Sequence, residues 1–327
     1  MQSVSKELTV RQLYENKQRD FELEILCGHD GLGNTITTPD VNRPGLAFAG
    51  YTDYFLWERV QIVGRTEVSY LATLDADRRR TAIERVLDHS LPCVIVAKRL
   101  DVPEDLTAGC RERAIPLLRT PISTTPFIHL LTSYLEIELA PEVVVHGTLV
   151  DVYGVGLLFM GKSGIGKSEC ALDLVERGHR LVADDLVRIT RRGRGLLIGA
   201  GYERARTLQH FMEIRGIGII DVGSIFGIRA TRLQKRVEVQ VTLVEWSDKL
   251  DYERIGLEDQ VTEILGVAIP VVHIPLFPGK NITVISEVVA MNYLLKIRGY
   301  HPAKEFDKRL VAMMGGDLDY HSEEDME

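Results

Sequence analysis

Between an apolar run, Val155 to Met160, and a helix-forming run, Glu169 to Arg177, the chain reads Gly161–Lys162–Ser163–Gly164–Ile165–Gly166–Lys167–Ser168. This matches G-x-x-x-x-G-K-[ST] at every fixed position. The octapeptide constrains the fold strongly, because it works only as a turn from a buried strand into the start of a helix. Its glycines let successive backbone N–H groups face inward around phosphate oxygens. Lys167 sets a point charge on the β- and γ-phosphates, and Ser168 offers its hydroxyl to Mg²⁺. The helix that follows aims its positive end at the anion. A chance match in a chain of this length is expected on the order of once in a hundred. Residues 161–168 are therefore read as a cradle for nucleotide phosphates.

The sequence beyond the cradle narrows the chemistry. Leu181–Val182–Ala183–Asp184–Asp185 is an apolar strand ending in two adjacent carboxylates. In enzymes with such a loop, a carboxylate at a strand end holds the metal or its water, or takes the proton of the attacking group. Neighbouring strand residues point to opposite sides, so the two carboxylates divide the work. The bland reading of the same pair is an Asx turn after a strand. Asp248–Lys249–Leu250–Asp251 has Asp where a guanine-reading N-K-x-D needs Asn, which weighs against a GTPase. On these residues two further classes stay open: a nucleotide-gated sensor without transfer activity, and a small-molecule or carboxykinase-like kinase.

Strand and helix patterns organise the rest. Val60–Val63 and Pro92–Ala97 read as strands, and Ala76–His89 and Pro103–Arg113 as helices, which suggests a small α/β domain without recognisable catalytic residues. Pro121, Pro126 and Pro141 bracket a helical stretch, Phe127–Leu139, read as a connector. Val237–Val244 alternates with period two, a half-buried strand. Helices over Ser286–Arg298 and Pro302–Met314 close the pattern. The expected fold is α/β in two domains: a small N-terminal α/β domain over residues 1–130 and a C-terminal P-loop domain with a mixed sheet over 131–327.

Composition excludes several classes. A net charge of −8 is wrong for a chain that coats nucleic acid. Arg78–Arg80 and Arg191–Arg194 read as a solvated helix face and a hairpin turn. The four cysteines are widely spaced with no CxxC, so neither zinc nor a disulfide framework is indicated. The first twenty residues are charged and lack an apolar h-region, and no apolar run reaches the roughly 18–20 residues of a membrane span. The expected location is the cytoplasm, with no membrane partner.

Several ordered motifs resemble the bacterial HPr kinase/phosphorylase family. They are His146–Gly147–Thr148–Leu149–Val150–Asp151, the loop, Leu181–Asp185, and Met212–Glu213–Ile214–Arg215–Gly216–Ile217–Gly218–Ile219–Ile220–Asp221. Tyr252–Leu257 and Pro275–Leu276–Phe277–Pro278–Gly279–Lys280–Asn281 continue the match, and Asn42–Gly50 resembles the family's N-terminal domain.

The resemblance implies a carboxykinase-like catalytic domain that phosphorylates a regulatory serine of HPr, the phosphocarrier of the sugar phosphotransferase system. The donor would be ATP or pyrophosphate. In reverse, inorganic phosphate would attack phosphoserine and release pyrophosphate. It implies Asp185 as general base and, in reverse, general acid, and Lys167 as the phosphate-polarising cation. Ser168 and Glu213 would hold Mg²⁺, with His146 and Arg254 completing the site. Met212, Arg215 and Gly216 would belong to the catalytic region, and Pro275, Phe277, Pro278, Gly279 and Lys280 would serve chiefly the dephosphorylating direction. A homo-oligomer, a hexamer, is implied as well. Without the resemblance, His146 reads as a strand histidine, Glu213 and Arg215 as an ion pair, and Arg254 as a surface charge. One departure stands out: Lys280 occupies the place of the family's arginine, which keeps the charge and loses the bidentate fork.

Overall fold

The computed structural model describes residues 7–193, 195–202, 210–246, 260–277 and 279–315, with Met314 and Gly315 described by backbone only. The chain divides into two compact units, residues 4–141 and residues from 142 onward.

The first unit begins with β1 (Leu8–Thr9), α1 (Val10–Lys17), β2 (Glu24–Cys27), β3 (Thr35–Ile36) and β4 (Val41–Asn42). It continues with α2 (Gly45–Phe48), β5 (Val60–Val63), α3 (Arg65–Thr73), α4 (Ala76–Leu87), β6 (Val94–Val96), α5 (Glu104–Glu112), β7 (Leu117–Arg119) and α6 (Thr124–Glu138). Its main sheet runs β2-β7-β6-β5-β4. Strands β4 to β7 are parallel, and β2 pairs antiparallel at the edge. Each successive strand takes the neighbouring place, so right-handed crossovers carry α2 to α5 onto one face. There Phe48, Leu71, Ile83, Val86, Leu87 and Leu106 form one core. The other face is covered by α1 and α6, through Leu13, Phe127, Leu131 and Leu135. The stretch read as a connector thus belongs to this unit's core, where each such side chain contributes roughly 1.5–3 kcal/mol. Helix α4 starts where Asp75 accepts a hydrogen bond from the Arg78 N–H, and buries Ile83, Val86 and Leu87 on one stripe.

The second unit opens with β8 (Glu142–His146), β9 (Thr148–Val152), β10 (Val155–Met160), α7 (Lys167–Glu176), β11 (Arg180–Ala183), β12 (Leu186–Arg192) and β13 (Leu196–Gly201). Then come β14 (Phe211–Ile214), β15 (Gly218–Asp221), α8 (Val222–Phe226), β16 (Gln234–Arg236) and β17 (Val239–Glu245). Last are β18 (Val261–Ile264), β19 (Val267–Leu276), α9 (Ile282–Ile297) and α10 (Pro302–Gly315). Among the described residues a six-stranded sheet runs β11-β9-β10-β17-β19-β18, and a four-stranded sheet runs β16-β13-β12-β8. The six-stranded sheet is mixed, since β10, β17 and β19 are parallel while β9 and β18 oppose their neighbours. Strand β10 sends Leu157 and Phe159 toward α7 and α9, and Leu158 toward the second sheet. A strand covered on both faces needs a continuous apolar run, which is why Val155–Met160 lacks polar alternation. No helix among the described residues is long and apolar enough to cross a membrane.

Candidate functional site

Strand β10 delivers the chain at its carboxyl end into the glycine loop, and Gly166 caps α7 from a left-handed conformation. Two glycines are dictated by their surroundings. A Cβ on Gly161 would stand 2.7 Å from the carbonyl oxygen of Leu243 in the adjacent β17. At Gly164, with φ +76°, a Cβ would meet the Arg215 guanidinium at 2.3 Å. The Lys167 ammonium folds back on the loop and donates to the carbonyls of Gly161 (3.2 Å) and Lys162 (3.0 Å). The loop therefore holds its cation where an anion would take over from the two carbonyls.

Opposite the loop, the turn after β11 separates the two aspartates. Asp184 is half-buried and accepts hydrogen bonds from Ser168 Oγ, at 3.0 and 2.9 Å to its two oxygens, and from Thr148 Oγ1 at 2.6 Å. Burial pushes its carboxyl above the ordinary range, and the two hydroxyl donors only partly offset this. Asp185 takes a left-handed backbone, φ 61°, and its side chain is 83% exposed. His146, at the end of β8 and 81% exposed, brings Nδ1 to 3.7 Å from the Asp185 carboxylate. The β8–β12 register pairs His146 with Leu186, and the Gly147 N–H donates to the Asp185 carbonyl. The turn thus sets the two aspartates apart, one carboxylate turned in and the other out.

Thr148, Lys167, Ser168, Asp184 and Asp185 line one pocket of about 420 Å³. Strand β14 alternates, with Met212 and Ile214 in the core and Phe211 and Glu213 outward; Glu213 and Arg215, the residue after the strand, line the pocket. Among the described residues Glu213 and Arg215 form no ion pair with one another, contrary to the bland reading of the sequence. Lys167, Ser168, Asp185, Glu213 and Arg215 are brought together there with Ser163, Gly164 and Gly166. His146 stands beside Asp185, and Met212 faces the core. Gly161, Lys162 and Ile165 complete the loop, Ile165 packing against the core and Lys162 pairing with Glu245 at 3.5 Å. Gly216 lies in the turn between β14 and β15.

The proline–glycine segment stands apart from this pocket, at the carboxyl end of β19. Pro275 pairs with Val244, and Phe277 packs edge-to-face on Trp246 with centroids 5.5 Å apart. The Lys280 ammonium lies 5.0 Å over the Phe277 ring, with Gly279 in the turn between them. Arg254 and Pro278 lie outside the described residues, as does the Asp248–Asp251 stretch. Sequence reasoning missed two groups. Thr148, fully buried, holds Asp184, and only the β9–β11 pairing places it there. His210 lines the pocket in a left-handed conformation just before β14.

Two family profiles match the chain: the HPr Serine kinase N terminus over residues 8–135 and the HPr Serine kinase C-terminal domain over residues 137–310. An HPr kinase/phosphorylase of Chloroherpeton thalassium is 48% identical, over 93% of this chain and 89% of the relative. One from Geobacter sulfurreducens is 44% identical, covering 96% and 97% respectively. A third, from a Geobacillus species, is 44% identical over 92% of this chain and 96% of its own length.

Proposed function

The chain belongs to the HPr serine kinase family, matched across both of its units, and on that premise we propose that it is a P-loop protein-serine kinase and phosphorylase acting on HPr. The donor is ATP or pyrophosphate, and inorganic phosphate drives the reverse reaction. One observation carries the reading: Lys167, Ser168 and Asp184 gather at one pocket beside an exposed Asp185–His146 pair. A small-molecule kinase encloses its acceptor, whereas a base that must meet a serine on another protein has to stand out in solvent.

In the kinase direction Asp185 takes the proton of the serine hydroxyl as its oxygen bonds to the terminal phosphorus and the bond to the leaving diphosphate breaks. Lys167, freed from its two loop carbonyls, neutralises charge on the transferring phosphoryl group. His146 lies beside Asp185, with Nδ1 3.7 Å from the carboxylate and so beyond hydrogen-bond length, and completes the site as the resemblance implies. In the reverse direction a phosphate oxygen bonds to phosphorus, the serine oxygen leaves with the proton returned by Asp185, and pyrophosphate is released. Arg254 and the segment Pro275–Lys280 serve as the resemblance implies.

Ser168, Asp184 and Glu213 offer hard oxygen donors to the same pocket, and among the described residues the carboxyl of Asp184 has no cationic partner; donors of this kind fit Mg²⁺. Ser168 and Glu213 would hold the ion, which supplies charge neutralisation at the phosphates. Assembly into a hexamer is part of the same reading. The exposed apolar side chains of Ile217, Ile219 and Ile228 (73%, 75% and 87% exposed) support contact with other chains.

The test is phosphoserine formation on purified HPr, followed by mass spectrometry with Mg·ATP and with pyrophosphate. Asp185→Asn should lower turnover roughly 10²–10⁴-fold while nucleotide binding persists. Wild-type protein that binds nucleotide and leaves HPr unmodified would sink the reading.

A further inference from the structure

His210 lines the phosphate pocket and has no part in the chemistry described above. It immediately precedes β14, whose Phe211 and Glu213 line the same pocket. Successive residues of an extended strand point to opposite sides, so a regular strand could not turn both His210 and Phe211 into one cavity. The left-handed backbone at His210, φ 74°, breaks the alternation and lets both line it.

The backbone fixes where this histidine stands. Its carbonyl accepts the Val222 N–H (3.2 Å) at the start of α8. Beyond α8 the chain joins β11, where Thr231 bridges to Leu181 and the Arg232 N–H donates to the Leu181 carbonyl (2.8 Å). Strand β11 is the one that ends in Asp184 and Asp185. At the other end of β14 the Arg215 guanidinium lies against Gly164 of the glycine loop. The wall that meets the loop at Arg215 is thus fastened, at its His210 end, to the strand carrying the aspartates.

The ring itself is half-buried, and its Nδ1 is sealed from solvent with no hydrogen-bond partner among the described residues. A histidine kept for structure alone spends its ring nitrogens on neighbouring groups, and a buried polar atom left without a partner calls for another explanation. Burial pushes the imidazole pKa below its ordinary value, and the charge of Asp221 only partly offsets this, so the ring is neutral at neutral pH. A neutral imidazole carries one N–H. On Nδ1 that proton would be a buried donor without an acceptor, so it belongs on Nε2, the side of the ring left to the cavity. The acceptor for such a donor has to arrive with the ligand.

We propose that His210 is a further substrate-binding residue of this pocket, its Nε2–H donating a hydrogen bond to a non-bridging oxygen of the transferring phosphoryl group. The inference rests on the phosphoryl-transfer reading of the pocket and is independent of which protein supplies the serine. An uncharged donor stabilises those oxygens without forming an ion pair with Asp184, Asp185 or Glu213. The transferring group is common to both directions of reaction, so both depend on this contact.

Calorimetric titration of the full chain tests this, with the β,γ-imido analogue of ATP and with ADP as probes, each with Mg²⁺. Only the analogue carries the terminal phosphoryl group. His210→Asn suits the left-handed backbone and is too short to set a donor at the Nε2 position, whereas His210→Gln can reach it. His210→Asn should weaken the analogue about tenfold and ADP less than about twofold, and His210→Gln should recover most of the loss. Both ligands are read on one preparation, so a partly misfolded variant does not alter their ratio. The inference alone is overturned if wild type and His210→Asn bind the analogue equally, or if the variant loses ADP to the same extent. Wild type that binds neither probe would strike the phosphate-cradle reading, and this inference with it.

Discussion

Helix α7 has a carboxylate near each end, and the two have opposite electrostatics. Near its first turn Asp184 is half-buried among hydroxyl donors, and burial raises its pKa. Past its last turn Glu287, buried on α9, receives Arg177 through two hydrogen bonds of 2.9 and 2.6 Å and His179 at 3.0 Å. Its pKa falls to about 2, chiefly through Arg177. Neutral hydroxyls donate hydrogen bonds without charge, so they cannot repay the desolvation of a carboxylate, whereas a bidentate guanidinium can. The C-terminal end of α7 is finished as structure. Its N-terminal end is left electrostatically incomplete, as the proposed binding of a cation and phosphates there would require.

Asp184→Asn should break this contrast most visibly. A raised carboxylate pKa means that the charged form costs stability, and that cost is present once pH rises through the folded pKa. Removing the charge should therefore raise the melting temperature of the second unit by about 2 °C at neutral pH, while phosphoryl transfer to HPr falls roughly 10²-fold or more. Calorimetry and the phosphoserine assay on one preparation read both.

Glu287→Gln should do the reverse. It strips the charge from a paired group, so the melting temperature should fall by about 5 °C while turnover stays within about twofold. The wild-type contribution is complete above pH 4.5, the ordinary value, and is lost as pH falls toward about 2. Acid unfolding of the variant, followed by circular dichroism, should consequently be shallower across that window. An unchanged acid profile would remove Glu287 from the comparison.

The smallest effect is expected at the segment outside the pocket. Lys280→Arg restores a planar fork over Phe277 and should raise phosphate-dependent dephosphorylation by about threefold, with kinase turnover unchanged. Equal gains in both directions would place Lys280 in general phosphate binding.

Much of this architecture was legible in advance. The strand–loop–helix unit around Gly161–Ser168, the strand at Leu181–Ala183 and the alternating strand, read as Val237–Val244 and formed by Val239–Glu245, all follow from contiguous residues. The phosphate-cradle reading followed from glycine spacing, and the aspartate pair stood out at a strand end. Which aspartate turns inward was not legible, because Thr148 reaches Asp184 only through antiparallel pairing of β9 with β11. Helix α6 read as a connector because its prolines mark ends and say nothing of what its apolar face will meet.

Local chemistry dictated the elements: backbone freedom at glycine, capping at Asp75, and apolar runs where strands are covered on both faces. These depend on neighbours in the chain and can be read from it. The partners of charged groups came from elsewhere. Arg177 meets Glu287 only once helices distant in sequence are packed. Whether a carboxylate becomes a strut or a reactive group depends on that packing, since burial and the charge beside it set its protonation, and neither is a property of the residue itself.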